Sequence, residues 1–291
     1  MDFLRHFHRE LQTHSPAPER LAIYIAGMAY PKLDVEEELA RITQIVRLVE
    51  RALMGIAPGQ ERAMRFLDVL YYDLGFVGNH EHYYEPNNSY LNIVLQRRVG
   101  LPIMLSLIYM VVGHRLGMSV TGMGFPGHFM VRYEDEAGIW FLDPFHGKLL
   151  EQEEIDGYLS ALLGQRVMLT PENLLPVSAV ALARRILYNL RNVYIKHQAF
   201  TMAMRVSEYL LAIDPMDGNI WQERGLLFYR EENWELASYN LRRYLYLSGR
   251  LMVAHGLSEP SSDMPLDIVQ PYEEEIMEIY HQVEEMRKRV N

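Results

Sequence analysis

The stretch GLPIMLSLIYMVVGHRLG, residues 100–117, decides the fold. Proline is favoured at the first position of a helix, because the N–H that it lacks would have had no partner there, and Pro102 suits that position. The residues after it are apolar on nearly every face, which is typical of a helix buried at the centre of a domain. Gly117 is suited to end the helix. We therefore predict a central buried helix that the rest of its domain surrounds.

The sequence on either side of this helix predicts an α+β domain. Apolar residues at helical spacing dominate residues 1–75, where Asp34 and Glu37 resemble a capping box at the start of a helix. After residue 117 the pattern changes to period two, which predicts consecutive antiparallel strands. The predicted strands cover residues 119–124, 128–133 and 139–142, and a helix from about residue 151 to residue 163 follows them. Helices combined with consecutive strands are typical of the α+β class.

The last third of the chain repeats itself at the tetratricopeptide period, an interval of about 34 residues. This offset aligns Phe200 with Trp234. Small residues such as Gly225 would let paired helices approach each other closely. The alternative is a set of ordinary helix pairs with a chance period. We predict an all-α tetratricopeptide-like domain whose final helix, residues 268–290, caps the repeats.

The composition excludes several classes of protein and site. The chain has 291 residues, enough for about two domains, and its formal net charge of −10 argues against a broad surface for nucleic acid or anionic membrane. It has no cysteine, which excludes a disulfide scaffold, an iron–sulfur cluster, a zinc–thiolate site and a cysteine nucleophile. The longest mostly apolar stretch, residues 101–112, is shorter than the about twenty residues of a membrane span, and we see no signal-peptide pattern. We therefore expect a cytoplasmic protein.

The central segment resembles the core of the transglutaminase-like proteins, which are relatives of the papain-like cysteine proteases. In that family a Gly-x-Cys opens a buried helix, and strands that carry His and then Asp follow. Here Gly100-Leu101-Pro102 opens the helix, and Asp143 follows fifteen residues after His128. The resemblance implies that Pro102 occupies the nucleophile position and that His128 and Asp143 are the remaining members of the triad. Proline offers neither a nucleophile nor a backbone N–H for an oxyanion hole.

A wider resemblance, to the bacterial SirB family, covers nearly the whole chain. It rests on AYPKLDVEEEL (29–39), GFPGHFMVRY (124–133) and WFLDPFHGK (140–148), together with the segment that leads from residue 86 into the central helix. Members join a transglutaminase-like domain to tetratricopeptide repeats, and some are labelled as regulators of invasion or virulence. We place the transglutaminase-like domain, with its helical N-terminal extension, at residues 1–170. The repeats and their capping helix follow at residues 177–291.

The candidate catalytic residues are His128 and Asp143, with Ser106 as an alternative nucleophile. A histidine that an aspartate orients can act as a general base. The pair can equally be a vestige that holds two strands together, and the missing cysteine favours that interpretation. Ser106 lies one helical turn after Pro102 on the same face, where a serine often bonds back to the carbonyl four residues earlier.

The same cleft is predicted to contain further residues that could contact a ligand. They are Asn88, Asn92, Pro102, Trp140 and His146. His80 and His82, with Glu85 close by, have a spacing that suits a metal ion on a strand or loop, but the sequence offers no definite third ligand. We therefore expect no metal and no cofactor.

Together these features favour a non-catalytic regulatory or protein-interaction protein, a pseudoenzyme on a degenerate transglutaminase-like fold. We expect a protein or peptide partner along residues 177–291, because such repeats bind ligands along a concave face, and we expect no nucleic acid and no membrane. The alternative is an acyl-transfer or hydrolytic enzyme in which His128 and Asp143 act with Ser106 or a bound water. A hydrogen bond between Ser106 and His128 would favour the enzyme.

Overall fold

The computed structural model describes residues 1–255 and 271–290. Contacts between Cα atoms divide the chain into two compact units, Met1–His197 and Gln198–Asn291. The first unit mixes helices and strands, and every described element of the second unit is a helix. This arrangement confirms an α+β fold followed by an all-α region.

The first unit begins with helices, as predicted for residues 1–75, and the structure has four of them. They are α1 (Phe3–Leu11), α2 (Pro18–Gly27), α3 (Val35–Leu53) and α4 (Gln60–Asp68), and a short π-helical turn, Val69–Asp73, extends the last. The Asp34 carboxylate accepts hydrogen bonds from the backbone N–H groups of Glu36 and Glu37, which confirms its capping role at α3. Helix α2 is buried from Leu21 to Gly27, so it belongs to the core.

The central helix follows a short parallel strand pair. The elements are β1 (Val77–Gly78), a 3-10 turn (Pro86–Ser89), α5 (Leu91–Arg97), β2 (Val99–Gly100) and α6 (Pro102–Arg115). Eleven of the fourteen residues of α6 are buried, and its Tyr109 hydroxyl donates to the Leu67 carbonyl at 3.3 Å. The predicted central helix, with Pro102 in its first turn, is therefore confirmed.

One antiparallel sheet of four strands packs beside α6. Its strands lie in chain order, β3 (Ser119–Met123), β4 (Met130–Asp135), β5 (Gly138–Asp143) and β6 (Lys148–Leu150). Three strands match the predicted ones, and β6 is an addition.

Two helices complete the unit, α7 (Ile155–Leu163) after a 3-10 turn at Gln152–Glu154, and α8 (Ala179–Lys196) after a 3-10 turn at Pro171–Leu174. Ile155 and Leu159 of α7 pack on Phe141 of β5.

The described part of the second unit consists of five helices. They are α9 (Phe200–Ile213), α10 (Gly218–Arg230), α11 (Trp234–Leu247), α12 (Leu251–Ala254) and α13 (Pro271–Val290). Helix α13 buries Ile276, Tyr280 and Val283 against Leu241 and its neighbours on α11. This packing agrees with a capping role for the final helix, which stays a prediction, and residues 268–270 of its predicted span lie outside the described residues.

The interval of the sequence repeat is visible in the helices themselves. The first and last residues of α11 follow those of α9 at this interval, and the last residue of α10 follows that of α8 at the same interval. The backbone at the residues before α9 and α11 repeats as well, because Gln198 has a φ of 56° and Glu232, at the same offset, has a φ of 55°. This regularity supports the tetratricopeptide interpretation over chance. The domain boundary at residues 170–177 stays a prediction, and the contacts group α8 with the first unit.

No helix in the described part of the chain is both long enough and apolar enough to span a bilayer.

Candidate functional site

The candidate site is built around the buried carboxylate of Asp143, the last residue of β5. Its Oδ2 atom lies 2.7 Å from Nε2 of His128, and the two residues are 0% and 5% exposed. His128 precedes β4, which pairs with β5, so the sheet brings together two residues that are fifteen positions apart. The pair that the sequence predicts is therefore in hydrogen-bonding contact.

Two further groups converge on the same carboxylate oxygen. His146 Nδ1 lies 2.8 Å from Asp143 Oδ2, and the Tyr158 hydroxyl, from α7, donates to that atom at 2.6 Å. The other oxygen, Oδ1, accepts from the backbone N–H groups of Phe145 and His146 at 2.8 and 3.2 Å. The carboxylate is thus fixed by the turn that follows it and by three side chains.

These contacts shift two pKa values in opposite directions. Burial alone would raise the pKa of the Asp143 carboxyl, but the hydrogen bonds from His128 and His146 outweigh burial and hold it well below its ordinary value. Burial, together with the neighbouring Asp143 charge, raises the pKa of the Tyr158 hydroxyl far above its ordinary value. Asp143 is therefore an anion and Tyr158 a neutral donor across the physiological range.

Arg185 of α8 fixes the main chain that carries His128. Its Nη2 atom donates to the carbonyl oxygens of Phe125 and His128 at 3.0 and 2.8 Å, and its guanidinium lies 5.2 Å from the centre of the Phe129 ring. Burial lowers the pKa of Arg185. The sequence did not single out Arg185 or Tyr158, since no local pattern marks either residue as part of the site.

Asn88 organises the loop that carries His80. Its amide nitrogen donates to the carbonyls of His82 and Tyr83 at 2.7 and 3.2 Å, and its oxygen accepts from the Asn79 amide at 2.9 Å. The loop places the His80 ring 5.3 Å from the His146 ring, centre to centre. Asn88, predicted to contact a ligand, is 2% exposed and acts on the loop instead.

Ser106 is not arranged as a nucleophile. It is 0% exposed, and its hydroxyl donates to the Phe129 carbonyl at 3.4 Å. Across the described residues it makes no hydrogen bond to His128, which a serine nucleophile would require. The expected bond to the carbonyl four residues earlier is replaced by this contact across to the residue that follows His128.

The remaining predicted cleft residues do not join the Asp143 cluster. Trp140 is three positions before Asp143 on β5, and because side chains alternate along a strand it lies on the opposite face, with its ring 6.0 Å from that of Tyr133. Asn92 is half-buried on α5, and its Oδ1 atom has no hydrogen-bond partner among the described residues. Pro102 is buried in the first turn of α6.

Among the described residues, one set of potential metal-ligand atoms lies close together at this site. His128, Asp143 and His146 each offer one such atom, and these atoms lie within 4.8 Å of one another. His82, whose side chain is exposed, is not among them.

Comparison with known proteins supports the assignment of both domain types. A sequence profile of the transglutaminase-like superfamily matches residues 36–188, and a profile of a tetratricopeptide repeat matches residues 190–259. A UPF0162 protein of Xylella fastidiosa strain 9a5c is 34% identical over 230 residues, which cover 78% of this chain and 82% of that relative.

Two other relatives are more distant. A UPF0162 protein of Vibrio cholerae is 25% identical over 236 residues, 80% of this chain and 84% of its own. Protein SirB1 of Salmonella typhimurium is 25% identical over 209 residues, 72% of this chain and 77% of its own.

Proposed function

Since this chain belongs to the transglutaminase-like superfamily and to its SirB-type members, we propose that it is a regulatory protein-interaction protein whose transglutaminase-like domain forms no covalent acyl-enzyme. The observation that carries the proposal is Pro102 in the first turn of α6, in a chain without any cysteine. In transglutaminase-like enzymes the matching position holds the nucleophilic cysteine. Proline supplies neither a nucleophile nor an N–H donor for an oxyanion.

The neighbouring hydroxyl group does not take the place of the thiol. Ser106 is enclosed in the core and donates to the Phe129 carbonyl. His128 keeps its hydrogen bond to Asp143 but makes none to this serine. Neither position 102 nor Ser106 therefore supplies a nucleophile that could form the covalent acyl bond.

The proposed binding of a protein or peptide partner rests on an aromatic strip in the second unit. The strip consists of Trp221 on α10 with Tyr239 and Tyr246 on α11. Tyr239 and Tyr246 lie seven residues apart on α11 and are 60% and 61% exposed, and the Trp221 ring lies 5.9 Å from the Tyr239 ring. Exposed aromatic side chains at helical spacing are typical anchors for a protein or peptide partner.

A pull-down with the full chain tests this proposal. We expect a Tyr239→Ala/Tyr246→Ala double variant to lose partners that the unmodified chain captures, because the anchors are gone. A Tyr72→Ala variant, which removes an equally exposed tyrosine (67%) from the first unit, should retain them. Equal capture by all three proteins would contradict a binding role for the aromatic strip.

Hydrolysis by an activated water is the second candidate function, and the intact His128–Asp143 hydrogen bond favours it. His128 would act as the general base and Asp143 would orient it. Intact-mass spectra taken during turnover of acyl substrates would separate the candidates. Product formation that depends on His128, without any mass adduct, would favour water activation over a purely binding role.

A further inference from the structure

The site around Asp143 brings two imidazole nitrogens within hydrogen-bond distance of one carboxylate oxygen, and the three atoms lie within 4.8 Å of one another. His128 Nε2 and His146 Nδ1 lie 2.7 and 2.8 Å from Asp143 Oδ2. In a zinc site these atoms would each lie about 2.0–2.2 Å from the ion, and two histidines with one carboxylate are a known catalytic ligand set. We propose that His128, Asp143 and His146 bind a divalent transition-metal ion of the zinc class.

The number of hydrogen bonds to the Asp143 carboxylate favours a cation beside its Oδ2 atom. An ionised carboxylate offers about four lone-pair sites. Five donor atoms contact it here, three side-chain atoms at Oδ2 and two backbone N–H groups at Oδ1. An ion between Oδ2 and the two imidazoles would replace two of these contacts by one bond, so that the four sites would each have one partner.

The surroundings supply the support that a metal ligand needs. The backbone N–H groups of Phe145 and His146 hold Oδ1, which leaves Oδ2 directed at the imidazoles, and Tyr158 steadies the same oxygen. Outer partners of this kind orient the groups that bind a metal. The guanidinium of Arg185 acts on the main-chain carbonyl of His128 rather than on its ring.

One member of the ligand set is in contact with solvent. The His146 side chain is 24% exposed, and exposed His80 lies beside it with a ring separation of 5.3 Å. The loop that carries His80 therefore lies beside the partly exposed member of the set. The sequence-based expectation of no metal rested on the lack of a third ligand for His80 and His82, and the fold supplies a separate set more than forty residues later in the chain.

The nature of the donors sets the metal class. Two imidazoles and a carboxylate suit zinc and neighbouring divalent transition metals, whereas calcium and magnesium prefer all-oxygen sites. The inference concerns binding at the Asp143 cluster alone, so it stands or falls separately from partner binding by the aromatic strip.

Metal titration of the full chain tests the proposal. After treatment with a chelator, we expect calorimetric titration with Zn²⁺ to give one ion per chain, and titration with Co²⁺ to give the visible absorption of a low-symmetry site. His146→Ala should weaken Zn²⁺ binding by at least about 100-fold, since loss of even an outer partner costs about 10–100-fold. Ca²⁺ and Mg²⁺ should not compete.

His82→Ala is the matched control, because it removes an exposed histidine of the same chain that is outside the ligand set. It should bind Zn²⁺ as the unmodified chain does. Because His146 is partly exposed, His146→Ala should fold, and its thermal midpoint should no longer rise when Zn²⁺ is added. Equal Zn²⁺ affinity in the unmodified chain and in His146→Ala, or no binding by the unmodified chain, would overturn the proposal.

Discussion

Nε2 of His128 lies 2.7 Å from Oδ2 of Asp143, with both side chains enclosed in the first unit. The pair keeps the geometry of a histidine with its orienting aspartate, although the chain has no thiol for it to activate. The same carboxylate also accepts hydrogen bonds from Tyr158 and from the turn at residues 145–146. Asp143 therefore joins β5 to α7 as well as to His128.

Replacement of the Asp143 carboxylate should destabilise the first unit. Asp143→Asn keeps the shape but turns one acceptor into a donor that faces His128, His146 and Tyr158. We expect a loss of about 3 kcal/mol in the free energy of unfolding, because hydrogen bonds to a charged group contribute about 1.5–3 kcal/mol each. Urea-induced unfolding measures this free energy of unfolding. Glu153→Gln, at an exposed acid just before α7, should change it by less than about 0.5 kcal/mol.

The close approach of α10 and α11 predicts a strong effect of one added methyl group. A β-carbon at Gly225 would lie 2.7 Å from the Leu241 side chain and 3.1 Å from its backbone nitrogen. Gly225→Ala should therefore lower stability by about 1–3 kcal/mol despite the better helix propensity of alanine. The control is Gly218→Ala on the same helix, where the nearest atom would be an ordinary 3.8 Å away. If the two variants melt at the same temperature, the predicted close packing is absent.

The loop that carries His80 should depend on Asn88. Asn88→Ala removes the amide that holds the carbonyls of His82 and Tyr83, and we expect faster amide hydrogen exchange across residues 79–84. A loss of about 1–3 kcal/mol in stability should accompany it, because buried polar groups are left without partners. His82→Ala leaves the main-chain carbonyl in place, so its exchange pattern should match that of the unmodified chain. Unchanged exchange in Asn88→Ala would show that other contacts hold the loop.

A pH-dependent stability effect is expected at Glu38 on α3. This residue is 7% exposed, and burial raises the pKa of its carboxyl, with Arg41 opposing the shift. Because the folded state holds the proton more tightly than the unfolded chain does, the ionised carboxylate lowers stability above the folded-state pKa. That cost disappears below the unfolded pKa.

Glu38→Gln should therefore be more stable than the unmodified chain at about pH 7, and the difference should shrink towards about pH 4. Thermal unfolding at both pH values measures it. Glu36→Gln, at an exposed acid of the same turn, should show a difference of less than about 0.5 kcal/mol. A stability difference for Glu38→Gln that is independent of pH would contradict the assigned cause.

The features that the sequence predicts correctly depend on local patterns. The apolar run of α6, the alternation of β4 and β5 and the Asp34 cap are each encoded within a few residues. The fifteen-residue spacing of His128 and Asp143 was informative because one hairpin connects them. The three-residue strand β6 was missed, since so short a segment shows no periodicity.

The features that were missed depend on how separate elements pack together. Tyr158 and Arg185 reach the site from α7 and α8, and the way in which those helices pack cannot be read from their own sequences. Trp140 was grouped with Asp143 because the two are close in sequence, but the alternation of β5 separates them. Ser106 was correctly placed on α6, whereas its bond to the Phe129 carbonyl depends on how the sheet packs against that helix.

The central claim is that Pro102 occupies the nucleophile position of a cysteine-enzyme frame, within reach of His128 and Asp143. Pro102→Cys tests it directly, because the unmodified chain has no other site for a thiol reagent. With a chelator present, we expect Cys substituted at this position to react with iodoacetamide under native conditions, helped by the start of α6 and by His128. The rate should fall at least about tenfold when His128→Ala is added. An alkylation rate that is indifferent to His128, or alkylation only after unfolding, would contradict the claim.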